Sequence, residues 1–122
     1  MFENMKYTAL LQKGINENPK SISAYEALKM ATCNSAKALG LKKDIGSIEV
    51  GKQADLIILN LNEPVIEPIN NIFASIVYNC KGNNVETTII NGKIVMENRK
   101  IDGIDEKEIY IRCANIIERI KI

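Results

Sequence analysis

The chain has 122 residues, 46% of them hydrophobic and 25% charged, and its 16 Lys and Arg against 15 Asp and Glu leave a net charge of +1. That balance gives no basic footprint for nucleic acid or an anionic membrane surface, and the length suits one domain that buries roughly two-thirds of its unfolded surface. Histidine is absent, which excludes Ser-His-Asp and Cys-His nucleophile systems and any His-containing metal site within these residues.

The first residues, Met1-Phe2-Glu3-Asn4-Met5-Lys6, lack the basic and then apolar stretch of a signal peptide. No apolar run approaches the roughly 20 residues that span a bilayer, so a cytoplasmic location is expected, with no membrane partner. Phe2 to about Lys13 reads as a helix, because Phe2, Met5 and Ala9 recur at three- and four-residue intervals. Asn16 to Lys20, with Pro19, breaks it. A second helix opens on Ser23-Ala24-Tyr25-Glu26, a capping-box pattern. Ala24, Ala27, Leu28, Ala31, Ser35, Ala38 and Leu39 predict its packed face, and Gly40 its left-handed end. A face so rich in alanine predicts a neighbour whose backbone comes close.

Next comes "IGSIEVGKQADLII", residues 45 to 58, where Gly46 and Gly51-Lys52 have the spacing of a phosphate-binding loop. Such a loop needs a Ser or Thr after the lysine and a helix behind it. Here Gln53 follows the lysine, Glu49 puts a carboxylate inside the cradle, and Ile48 and Val50 are too stiff for a tight curl. Nucleotide binding is rejected. The glycines are read as turns flanking a short extended segment, Ser47 to Val50. Lys52 is read as solvated, and Asp55 as an acceptor for backbone N–H groups of the turn.

Leu56-Ile57-Ile58-Leu59 is an apolar run without alternation, which predicts a strand covered on both faces. Pro64 and Pro68 mark a loop. Residues 72 to 80 read either as a helical turn followed by a strand or as one irregular segment, and Gly82-Asn83-Asn84 as a turn. Val85 to Ile90 and Lys93 to Glu97 flank Asn91-Gly92, a strong hairpin signal. A last helix is capped by Asp105, with Ile109, Cys113, Ile116, Ile117 and Ile120 as its apolar stripe and Arg119 and Lys121 complementing its dipole. Asp102, Asp105, Glu106 and Glu108 lack the spacing of a calcium loop and read as a helix start. Cys33, Cys80 and Cys113 are odd in number and show no Cys-x-x-Cys, so buried reduced thiols are expected.

Taken together, "IGSIEVGKQADLIILNL" and "VETTIINGKIVMENRKI" resemble the C-terminal end of the metal-dependent amidohydrolase superfamily, closest to its S-adenosylhomocysteine/methylthioadenosine deaminase and chlorohydrolase branch. "AYEALKMATCNSAKALGL" resembles the helix before that segment, and "MFENMKYTALLQK" the helix after the last barrel strand. The resemblance implies an α+β fold. Residues 1–42 would be the last outer helices of a (β/α)8 barrel. Residues 43–122 would be the C-terminal strands of a small composite β-sandwich with a closing helix.

It also implies a divalent metal, zinc, in the full-length enzyme, where activated water attacks a ring or amide carbon. The family's metal-binding histidines and aspartate map onto no position here, and Asp55 and Asp102 match structural positions only. No catalytic, cofactor-binding or metal-ligating residue is therefore assigned. Met1 aligns with a position internal to the family, and is an internal residue, a boundary of the cloned segment or a misplaced start. The expected partners are the N-terminal barrel and sandwich strands of the same protein. Without them the chain is expected to be inactive and to self-associate through an exposed sheet edge. Two alternatives stay open: a stand-alone structural or interaction module derived from the family, and an independent enzyme using carboxylates or lysine.

Overall fold

The computed structural model describes residues 1–120. Helix α1 (Phe2–Ile15) buries Met5 and Ala9, the face that its spacing predicts. Ser23 then starts α2 (Ala24–Lys29) with both halves of a capping box. The Glu26 N–H donates to Ser23 Oγ at 3.2 Å, and the Ser23 N–H donates to the Glu26 carboxylate at 2.8 Å. The helix does not continue evenly: a π-helical turn, Met30–Asn34, separates α2 from α3 (Ser35–Ala38). One extra residue in a turn rotates everything after it by about 100°. Ala36 is therefore buried in place of Ser35 and Ala38, and Leu39 is left 71% exposed. Gly40, at φ +76°, ends the helix as predicted.

Residues 72 to 79 are helical throughout. Asn71 accepts from the Ala74 N–H at 3.0 Å and caps α4 (Ile72–Ala74), which runs into a second π-turn, Ser75–Asn79. The strand considered for this stretch does not form. This helix packs on α1 and α2 around Met5, Ala9, Ala27 and Val77, with Phe2, Ile22 and Leu28 at the margin. Alanine at two of those positions lets the helix backbones approach. Lys13 Nζ donates to the Tyr78 hydroxyl at 2.6 Å across the same seam.

The strands β1 (Leu56–Leu59), β2 (Val85–Ile90), β3 (Lys93–Glu97) and β4 (Lys100–Ile101) form an antiparallel sheet in the order β1-β2-β3-β4. Asn91 and Gly92, at φ +49° and +76°, make the predicted turn between β2 and β3. The turn into β4 was not predicted. It places Asn98 and Arg99 at φ +48° and +63°, and the sequence offers no glycine there. In register, Leu56, Ile89 and Ile94 share one face, while Ile57, Thr88, Met96 and Ile101 share the other. Both faces are apolar, yet Ile57 and Ile58 are 51% and 52% exposed. The expected double cover of β1 is not supplied by these residues.

Helix α5 (Glu106–Ile120) is capped by Asp105, whose carboxylate accepts from the N–H groups of Lys107 (2.9 Å) and Glu108 (3.2 Å). Its stripe of Ile109, Cys113, Ile116, Ile117 and Ile120 contains no buried residue. Arg119 lies in the last turn as expected, and Lys121 lies outside the described residues. The surface totals 9622 Å² for 13.6 kDa. A compact monomer of this mass exposes about 6,600 Å² and its unfolded chain about 19,700 Å². The chain thus buries about half of its unfolded surface, less than the two-thirds its length suggests. Among the described residues no helix is long and apolar enough to cross a membrane.

Candidate functional site

The loop from Gly46 to Asp55 was the strongest candidate for a ligand cradle, and its geometry assigns it another task. Gly46 sits at φ +94°, and a Cβ there would lie 2.6 Å from the Ala36 Cβ. The Cys33 thiol donates to the Gly46 carbonyl at 2.9 Å. Gly46 is thus demanded by close approach to the alanine-rich helix. Its partner Gly51 meets nothing, and serves a turn at φ +92° in which the Lys52 N–H donates to the Glu49 carbonyl. Between a bend at Ser47 and the turn that begins at Val50, Ile48 and Glu49 belong to no regular element.

Lys52 is not solvated as its sequence position suggests. Its side chain is 11% exposed, and Nζ donates to Ser47 Oγ and to Glu49 Oε1, the latter at 3.2 Å. Ser47 Oγ also donates to Glu49. That hydroxyl bond, and then the Lys52 bond and charge, hold the Glu49 carboxyl below its usual range. An anion would meet a carboxylate with its lysine already engaged. The loop leads into strand β1, where a phosphate-binding loop would lead into a helix.

The two halves of the motif meet in space. The Gly92 N–H donates to the Ala54 carbonyl at 3.0 Å, and the Asn91 N–H to Asp55 Oδ1 at 2.6 Å. The turn that Asp55 serves is the distant Asn91-Gly92 hairpin, where the sequence suggested the turn beside it. A second clasp was missed altogether. Asn84 is 3% exposed, accepts from the Lys81 N–H at 2.8 Å and donates to the Asn60 carbonyl at 3.2 Å. The only hint in the sequence was an asparagine closing a Gly-Asn-Asn turn.

The acidic residues before α5 do structural work: Asp105 caps, and Glu108 pairs with Arg112 at 2.6 Å on the exposed surface. Among the described residues no group of three or more His, Cys, Asp or Glu side chains is placed to hold a metal ion. Without a histidine to complete a set, the residues present do not fit the divalent metal implied for the family's enzymes. No catalytic step is derived through one. The cysteines do not share one environment as expected. Cys80 is buried, Cys33 is intermediate and Cys113 is exposed. Burial first, and the charge of Glu63 second, push the Cys80 thiol up from its usual value. A small polar recess of about 150 Å³ lies between Asn60, Glu63, Asn84, Glu86 and Arg99, but its one buried amide is committed to the clasp just described.

A family profile described as "Amidohydrolase family" matches residues 1–95. The chain belongs to the amidohydrolase family. This amidohydrolase segment is 44% identical over 121 residues to a 5-methylthioadenosine/S-adenosylhomocysteine deaminase of Caldanaerobacter subterraneus, covering 96% of the present chain. It is 46% identical over 122 residues to a 5'-deoxyadenosine deaminase of Methanobrevibacter smithii, covering 99%. The chain spans about 28% of the length of each relative. Its fold superposes on an adenosine deaminase from Xanthomonas campestris, crystallised with bound zinc, at a TM-score of 0.88 and 30% identity. That match covers 99% of this chain and 28% of the other. The resemblance read from the two motifs is therefore upheld at the level of the family and of its deaminase relatives.

Proposed function

We propose that this chain is the C-terminal segment of a metal-dependent amidohydrolase that deaminates an adenosine-type nucleoside, and that the segment supplies structure while the chemistry resides elsewhere in the enzyme. The observation that carries the reading is identity of 44–46% over nearly the whole chain to nucleoside deaminases of which it spans 28%. In such a reaction water replaces the exocyclic amino group of the purine, and ammonia leaves. A divalent metal held by the rest of the enzyme would supply the activated water. Among the described residues no group of three or more His, Cys, Asp or Glu side chains is placed to hold it. Residues 1–42 would complete the outer helical layer of a barrel, and residues 43–122 a composite sandwich with a closing helix, in the cytoplasm.

The work of the segment's own residues is positional. Asp55 and Ala54 fasten β1 to the Asn91-Gly92 turn, Asn84 fastens the other end of β1 to β2, and Gly46 lets that assembly lie against the Ala36 helix. The test is an ammonia-release assay on the purified chain with 5'-methylthioadenosine, alongside metal analysis. No turnover and no stoichiometric metal are expected. Turnover with one bound metal per chain would overturn the reading. A stand-alone interaction module is the second reading, and the uncovered β1 edge is the observation in its favour.

A further inference from the structure

Resting on that reading, we propose that the segment joins the rest of the fold through a non-covalent interface extensive enough to form in trans. Supplied as a separate chain, it captures one polypeptide that carries the remaining amidohydrolase fold, and completes it. Area decides the kind of partner. The chain exposes 9622 Å², about 3,000 Å² more than a compact monomer of its mass. A standard interface hides about 800 Å² on each partner. A second copy seated on one patch would leave most of the surplus uncovered.

The surplus is also spread over three elements. On α1 it is Tyr7, Leu11 and Ile15, which are 59%, 60% and 73% exposed on the side turned away from Met5 and Ala9. These side chains form a second apolar strip beside the polar residues of the helix, and exposed apolar surface of that kind marks a contact site. On the sheet it is Ile57 and Ile58, and on α5 it is Ile116 and Ile117 at 54% and 57%. One body must reach all three. The matched 121 residues are 28% of the Caldanaerobacter relative, so about 310 residues of that relative lie outside the match, a body of sufficient size.

The sheet points to how the two are joined. Its β4 edge is two residues long and starts with Lys100. Its β1 edge, Leu56–Leu59, carries no charge and no proline, two of the devices that keep an edge strand from pairing; the register shift between Ile58 and Leu59 leaves Leu56 to Ile58 as the regular part of that edge. The partner adds a strand there by backbone pairing, and its apolar surface covers the ladder behind it.

The test uses the 122-residue chain co-expressed with those roughly 310 residues of the Caldanaerobacter relative, beside a single-chain chimera of the same two pieces. The readouts are co-purification through a tag on one piece and ammonia release from 5'-methylthioadenosine. A one-to-one complex is expected, with activity in trans within tenfold of the chimera. Ile57→Lys in the 122-residue chain is expected to cut recovery of the complex at least tenfold. An active chimera whose separate pieces do not co-purify overturns assembly in trans and leaves the deaminase reading standing. Recovery of the chain as a homo-oligomer that excludes the relative's piece overturns it too, with a second copy as the occupant. Co-purification with an inactive chimera supports the interface and counts against the catalytic reading. If neither complex nor activity appears, both fall.

Discussion

At Gly46 two demands coincide: a left-handed φ and a gap to Ala36 too narrow for a methyl group. Gly46→Ala is expected to destabilise the protein by about 2–4 kcal/mol, from backbone strain and overpacking together. Urea unfolding measures it, and Ala36→Gly in the same chain should recover only the packing share, because φ stays positive. An unmoved midpoint would mean the helix and loop do not touch. Asp55 is the second residue on which local order depends. Asp55→Ala removes the acceptor for the Asn91 N–H and should cost about 1–2 kcal/mol, seen as faster amide exchange at Asn91. Glu49 ties stability to pH through an exposed carboxylate. Its folded value is lowered by Ser47 first and Lys52 second. The stability it contributes is therefore present above the ordinary carboxylate value and lost as pH falls through the lowered one. A carboxyl-carbon NMR titration should find Glu49 below the ordinary value, and Ser47→Ala should move it back up. No change on that substitution would remove the hydroxyl bond from the account.

Elements whose signals are local were legible in the sequence. The Ser23 capping box, the Asn91-Gly92 turn and the Asp105 cap each bring their own partner within three residues, so the pattern alone predicts them. Elements set by distant contacts were not. The π-turn at Met30–Asn34 shifts the buried face from Ser35 to Ala36, and nothing within the helix announces it; the Gly46 loop that packs there lies ten residues on. Arg99 at positive φ gives β4 no sequence signal, because arginine does not mark left-handed turns. Of the candidate site, Gly46 was legible as a turn glycine, but the Ala36 contact that demands it was not, because that partner lies on another element. The cysteines were misread for the same reason as the exposed isoleucines: residue type predicts burial only if the neighbour is present. Iodoacetamide should accordingly modify exposed Cys113 first and buried Cys80 last, the latter also because its raised value leaves less thiolate at neutral pH. Mass spectrometry of timed samples reads the order, and early loss of Cys80 would show that its burial does not persist in solution.

The whole molecule has too little interior for its length. Folding hides about 10,000 Å², whereas a compact chain of this mass would hide about 13,000 Å². Conformational entropy is lost by every ordered residue whether or not its side chain is buried. A fold that buries only half its surface therefore has less to offset that loss than one that buries two-thirds. The shortfall is measurable, because the denaturant slope of unfolding scales with the area exposed. For the free 122-residue chain the urea m-value should be about three-quarters of that of a compact domain of equal length. It should not depend on protein concentration if the chain is monomeric, and should rise with concentration if copies cover one another. A full-sized m-value at the lowest concentration would show that α1, the sheet and α5 fold onto each other when alone. The surplus surface would then be no guide to a partner. A reduced, concentration-independent value leaves those apolar faces open, and ties the segment's stability to the body that covers them.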